Sequence, residues 1–262
     1  MTSQDYSITY RMRRIAVVNQ KGGVGKTTTS INMAAALAVA EKKVLLVDID
    51  AQANATSGLG VDNRSLQMST YDVLSEPSCL KQAIRSTQVA CLDLLPASLD
   101  LAGLEIELID AQGRESRLRD ALDALNNYDY VIIDAPPSLG LLTLNALVAA
   151  QGVIIPVQCE YYSLEGLSKL VDTLNRVREA LNPNLEIFGV LLTMYDSRTN
   201  LAEQVAGEVK KHFADKVFST TIPRNIRLAE APSFGQTILH YDINSRGAQA
   251  YLELAKEVIA RD

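Results

Sequence analysis

A mostly parallel, twisted α/β sheet with helices on both faces is the fold class this sequence predicts, and three observations carry it. Short apolar runs alternate with longer helical stretches, the pattern of right-handed β-α-β units. The runs are continuous rather than alternating apolar with polar, as strands buried on both faces are. No Pro/Gly/Ser-rich or charged linker divides the 262 residues, so a single domain over residues 14–262 is expected, preceded by a short tail, 1–13.

In chain order, the first strand is Ile15-Ala16-Val17-Val18, followed by glycines and an Ala-rich helix at about 28–40. Further strands are expected at 44–48, 92–96, 130–134, 153–157 and 187–192, from short apolar runs. Helices are expected at about 100–109, 115–126, 138–149, 163–180, 200–213 and 246–260, from apolar positions recurring at helical spacing. Ligands of such sheets sit at the carboxyl ends of strands, which is where polar chemistry is sought.

Composition narrows the function classes. Hydrophobic residues are 47% and charged residues 21%, with a net charge of −6. That balance argues against bulk electrostatic binding to nucleic acid, so any such contact needs a local basic patch. No run reaches about 18 apolar residues, and no membrane span is expected. Residues 1–14 are polar, with Arg11, Arg13 and Arg14 and no apolar h-region, unlike a secretory signal. Cys79, Cys91 and Cys159 lack C-x-x-C spacing, and His212 and His240 stand apart from them; the thiols read as half-buried or core residues of a reducing cytoplasm.

The most informative segment is Gln20-Lys21-Gly22-Gly23-Val24-Gly25-Lys26-Thr27-Thr28-Thr29. Glutamine stands where G-x-x-x-x-G-K-[ST] requires glycine, so the run is a variant, K-G-G-x-G-K-[ST]. Its glycines let backbone N–H groups approach a polyphosphate, and the following helix N-terminus favours that anion. Lys26 is then placed to contact the β- and γ-phosphates, and Thr27 to complete Mg²⁺ coordination. A nucleotide polyphosphate with Mg²⁺ is the expected ligand; no N-K-x-D run that would read guanine occurs.

Three carboxylates end strands. Asp134 closes Val131-Ile132-Ile133-Asp134 and is expected near Mg²⁺. Asp48 and Asp50, two apart, project to the same side of an extended chain. Asp48 is expected to support the metal, and Asp50 to position an attacking water rather than strongly deprotonate it, since a free carboxylate with a pKa of about 4 is a weak base at neutral pH. Slow, Mg²⁺-dependent hydrolysis follows as an expectation.

Together with the variant loop, residues 47–60 (Val-Asp-Ile-Asp-Ala-Gln-Ala-Asn-Ala-Thr-Ser-Gly-Leu-Gly), 134–140 (Asp-Ala-Pro-Pro-Ser-Leu-Gly), 156–166 and 222–235 resemble, in order and spacing, the ParA/Soj chromosome- and plasmid-partitioning ATPases, P-loop NTPases of deviant Walker A type. The resemblance runs from about Arg14 to the C-terminus. It implies an ATP-dependent sandwich homodimer in which Lys21 reaches the phosphates bound by the partner, with Gly22 letting the two loops approach. It implies non-specific binding of double-stranded DNA through Arg198 and Arg227, with Arg224 and Lys210–Lys211 as further contributors. It also implies an adenine-contacting segment containing Pro223 and Asn225, a ParB-like centromere-binding partner that stimulates hydrolysis, and a cytoplasmic, nucleoid-associated protein.

Three other readings compete. A MinD-like positioning ATPase needs a basic amphipathic C-terminal helix, whereas 248–262 mixes Glu253, Glu257 and Asp262 with Lys256 and Arg261 and reads as a packed terminal helix. A nitrogenase-iron-protein type needs cluster cysteines that these three do not resemble. A nucleotide-gated DNA switch with incidental hydrolysis differs from the leading reading only in turnover.

Overall fold

The computed structural model describes residues 12–160 and 163–262. Residues 1–11 of the expected tail, Arg11 included, and Tyr161–Tyr162 of the 156–166 segment lie outside the described residues.

Seven strands form one sheet: β1 (Arg13–Val17), β2 (Val44–Asp48), β3 (Arg85–Ser86), β4 (Leu92–Leu95), β5 (Tyr130–Asp134), β6 (Gly152–Gln158) and β7 (Glu186–Thr193). Their order is β3-β4-β2-β5-β1-β6-β7, all pairs parallel except the antiparallel β3–β4 edge. The helices are α1 (Lys26–Val39), α2 (Asn54–Gly58), α3 (Thr70–Ser75), α4 (Leu80–Ala83), α5 (Leu101–Glu107), α6 (Arg117–Leu122), α7 (Leu141–Ala149), α8 (Ser163–Ala180), α9 (Asn200–Phe213), α10 (Ile226–Glu230), α11 (Ile238–Tyr241) and α12 (Arg246–Arg261).

The two-residue period of each strand deals its side chains to two cores. Ile15 and Val17, with Val44 and Leu46, join α1 and α12 on one face; Ala16 with Leu45 and Val47 joins α3, α6, α7 and α9 on the other. Helix α1 is buried nearly all round because it lies between the sheet and α12. Its small Ala34, Ala35 and Ala36 permit that close packing.

Several boundaries differ from the sequence reading. Arg13, expected in the tail, begins β1 opposite Tyr130 and pairs with Glu186 at 2.6 Å; the strand starts two residues before the expected Ile15. Helix α1 begins at Lys26, so the second lysine of the loop and the threonine after it sit in its first turn. Helix α7 begins at Leu141 rather than 138, with extended Gly140 as its cap. β3 was not anticipated: two polar residues carry no apolar run.

The order places β1 between β5 and β6, so the loop leaving β1 opens at the carboxyl edge where the chain's winding reverses.

Candidate nucleotide site and arginine groove

The loop from Asn19 to Gly25 is held by the protein's own polar groups. Asn19 donates to the Pro156 carbonyl at 2.7 Å and accepts the Lys21 N–H at 2.9 Å, while Thr193 donates to the Val24 carbonyl at 2.8 Å. Gly23 and Gly25 adopt φ of +74° and +88°, conformations that side chains resist. Gly25 therefore caps α1 without a side-chain hydrogen bond, leaving first-turn N–H groups directed at a cavity of about 580 Å³. Gly22, Gly23, Lys26, Thr27, Thr28 and Asp50 line it.

Lys26 is buried, and its Nζ lies 3.3 Å from the Lys21 carbonyl. Desolvation lowers its pKa, and the charges of Asp134 and Asp50 act against that. Asp134 and Asp48 are neighbours across β5 and β2 and are both fully buried. Burial raises both carboxyl pKa values; for Asp48 the Asp134 charge adds to it, and for Asp134 the hydroxyls of Ser30 and Thr27 pull back.

The two carboxylates are not equivalent. Asp48 spends both oxygens on the protein: Oδ2 accepts from the Thr56 N–H and hydroxyl, each at 2.8 Å, and Oδ1 from the Asp50 N–H at 3.2 Å. These bonds tie the loop 48–56 to its strand. Asp134 accepts from Ser30 at 2.8 Å through Oδ1, but its buried Oδ2 has no hydrogen-bond partner among the described residues. An orphaned carboxylate oxygen beside Thr27 and a phosphate loop is a donor set that fits Mg²⁺. Asp50 holds the Gln52 N–H at 3.0 Å through one oxygen and faces the cavity.

A second, largely apolar pocket of about 310 Å³ adjoins the first, sharing Gly25, Thr28 and Met194. Pro223, Asn225, Ile222, Leu228 and Tyr251 complete it, dimensions and chemistry that suit a purine base. Asn225 itself caps α10, its side chain accepting the Arg227 N–H at 2.8 Å.

Pro223, Arg224 and Ile226 also form a wall of a groove of about 800 Å³ that contains Arg198 and Arg246. Arg246 was missed by sequence reasoning, being counted simply as a terminal-helix residue; the signal was a cation directly after the N-cap Ser245, where the helix dipole disfavours it. Arg227 lies outside this groove. It pairs with Glu230 at 2.9 Å and Asp242 at 3.6 Å and lies over the Tyr241 ring. Arg198 is held by Asp196 through two bonds of 2.9 and 2.7 Å.

Lys21 is not part of its own phosphate cavity. Its Nζ lies 3.5 Å from Glu160. A Cβ added at Gly22 would meet nothing within 4 Å among the described residues.

A parallel sheet with a glycine loop at its switch point, a buried lysine in the first helical turn and an orphaned strand-end aspartate define a P-loop nucleotide hydrolase. The AAA domain family matches residues 12–187. The chain is 59% identical over 247 residues to the sporulation initiation inhibitor protein Soj of Bacillus subtilis, covering 94% of this chain and 98% of that one. It is 53% identical to the chromosome partitioning protein ParA of Myxococcus xanthus, covering 95% and 89%. Among solved structures, a Mycobacterium smegmatis cobyrinic acid a,c-diamide synthase with bound ADP and magnesium superposes with TM-score 0.84 at 40% identity, covering 95% and 94%. The Pyrococcus horikoshii septum site-determining protein MinD with Mg-ADP gives 0.77 at 30%, covering 95% and 96%. The chain belongs to the ParA/Soj family of chromosome-partitioning ATPases, with ATP and Mg²⁺ as its ligands.

Proposed function

We propose that this ATPase partitions DNA by a nucleotide-gated dimer. Two ATP-bound copies stack face to face, Lys21 of each reaching the phosphates held by the other, and the dimer binds double-stranded DNA without sequence preference. Hydrolysis, stimulated by a ParB-like centromere-binding protein, releases the DNA. The observation that carries this reading is the placement of Lys21 and Gly22: a lysine of the phosphate loop stands outside its own phosphate cavity, next to a glycine whose missing side chain leaves open space.

In this reading the P-loop amides and Lys26 hold the triphosphate, and Pro223, Asn225 and the apolar pocket hold adenine. Asp134 and Thr27 hold Mg²⁺, which when bound neutralises charge on the phosphates. Asp48 fixes the loop that carries Asp50, and the free side of Asp50 orients the attacking water. Lys21, supplied in trans, offsets charge developing on the transferred phosphoryl group. Arg198, Arg224 and Arg246 line the DNA surface, with Arg227 at its flank. Dimerisation pairs two such surfaces on an acidic protein, and log affinity scales with the phosphates neutralised. A nucleoid-associated protein of the cytoplasm follows from that binding.

The Soj and ParA relatives, at 59% and 53% identity against 40% for the diamide synthase, support partition over amide chemistry. The packing of Tyr251, Leu254 and Val258 of α12 into the core supports it over a membrane-recruited, MinD-like role.

The test is DNA binding by the parent and Lys21→Ala with ATP, ADP and no nucleotide. Only the parent with ATP should bind tightly; binding that ignores nucleotide would overturn the gate. Gly22→Val should fold normally yet remain monomeric. Hydrolysis with DNA and partner present should exceed that of Asp50→Ala, and equality would remove the turnover step.

A further inference from the structure

Two cations of separate purpose share one carboxylate. Glu160, just beyond β6, places Oε2 3.5 Å from Lys21 Nζ and Oε1 4.0 Å from Arg224 Nη2. Its position is set locally: Oε1 accepts from Gln158 Nε2 at 2.6 Å, and the Glu160 N–H donates to the Gln158 carbonyl at 2.8 Å. Lys21 belongs to the phosphate loop and Arg224 to the wall shared by the base pocket and the arginine groove. Each of these cations has a polyanion as its proposed target. A fixed carboxylate within 4.0 Å of both competes with both targets.

We infer that Glu160 is an inhibitory counter-ion that holds the free monomer off: it keeps Lys21 on its own subunit and weakens the field of Arg224 at the groove. This rests on the reading of Lys21 as a lysine acting on the partner's nucleotide. The three side chains are 36%, 49% and 72% exposed for Lys21, Glu160 and Arg224, so each pair is weak, a few-fold in an equilibrium constant. A weak latch suits a switch that must open. A dimer releases two latches, one from each copy, so their effects multiply. Glu160 acts through Lys21 and Arg224 and is a positioning residue.

The experiment uses full-length Glu160→Gln, Lys21→Ala and the double variant. Dimerisation is measured by analytical ultracentrifugation with a non-hydrolysable ATP analogue and Mg²⁺. Glu160→Gln should tighten the dimer about tenfold, the product of two exposed pairs. In the Lys21→Ala background the same change should shift the dimer less than about twofold, since the pair is already broken. With DNA, the slope of log affinity against log salt should steepen by about 0.9 for each phosphate that Arg224 newly neutralises, a readout that a merely structural glutamate would not move. A Glu160→Gln dimer no tighter than the parent's, or equally tightened without Lys21, would overturn the latch. A Lys21→Ala protein that dimerises as well as the parent would instead overturn the lysine's role in the partner subunit, so the two failures are separable.

Discussion

The phosphate cavity and the arginine groove meet at Pro223–Ile226, yet they are built in opposite ways. In the cavity, Lys26, Asp48 and Asp134 are buried, and their hydrogen-bond partners come from the phosphate loop, the segment that follows β2 and the helix α1. In the groove, Arg198 and Arg224 have side chains 86% and 72% exposed, drawn from separate loops of the chain, each with an acidic partner on the protein's own surface. Buried polar groups without partners are costly, so the cavity is fixed before ligand arrives. Exposed pairs are worth little, so the groove's cations are free to exchange an internal carboxylate for a phosphate. One region is preorganised and the other exchangeable.

Lys26→Ala tests the preorganised side most severely. The buried ammonium is balanced by Asp134 and Asp50, and its loss should lower the hydrolysis rate by about 10²–10³-fold, as loss of a preorganised charge does. Steady-state phosphate release checks it. A variant that keeps most of the parental turnover would mean that the loop amides alone do the work.

Thr56→Val comes next and touches no ligand. The hydroxyl donates to Asp48 and accepts the Ala97 N–H at 2.9 Å, so an isosteric valine leaves a buried carboxylate and a buried amide short of partners. About 2 kcal/mol of unfolding free energy should be lost, read from urea denaturation with an unchanged slope. No loss would mean that the cavity's rigidity does not depend on Asp48.

What could be read in the sequence follows the same division. The six longer strands announce themselves as apolar runs because both faces are buried, and α8 and α9 match their expected limits, 163–180 and 200–213. The phosphate loop is legible because its chemistry is consecutive in the chain. The short helices α2, α3, α4, α10 and α11, each of four to six residues, are too brief for a helical period and are fixed by caps and tertiary packing instead, as Ser69 caps α3 with Asp72 answering it. The Asp48–Thr56 clamp was hidden because side-chain saturation has no sequence signature. The groove was only partly legible: Arg198 and Arg224 came from resemblance, whereas Arg246 needed the fold to bring it to them.

The buried carboxylates also set a pH dependence. Burial raises Asp48 and Asp134 above their ordinary range, so below the unfolded pKa both states are protonated and the folded state keeps its full stability. As pH rises from the ordinary carboxylate range toward neutrality, the unfolded chain ionises first and stability falls, levelling off above the raised values. In the proposed site Asp134 takes up Mg²⁺ in its charged form, so the rise in melting temperature on adding Mg²⁺ and ATP should grow across that window, by a few degrees for about 1 kcal/mol. A gain that is flat or shrinks with pH would unlink Asp134 from the metal.

The smallest effects test which surface cations belong to the proposed DNA surface, and helix ends sort them. Arg246 follows an N-cap, where a positive charge opposes the dipole; Lys210 and Lys211 lie in the last turn of α9, where it is favoured. Lys211 is further paired with Glu208. Fold stability explains the lysines and not the arginine. Arg246→Ala should therefore leave stability unchanged or raised by about 0.3 kcal/mol, while the salt slope of DNA binding falls by about 0.9 for each phosphate no longer neutralised. Lys211→Ala should reverse the pattern, costing about 0.3 kcal/mol and shifting DNA affinity less than about twofold, as expected for an ion pair already satisfied on the surface. If Lys211→Ala alters the salt slope as much as Arg246→Ala, positive charge anywhere on the surface suffices, and the groove has no privileged place in binding.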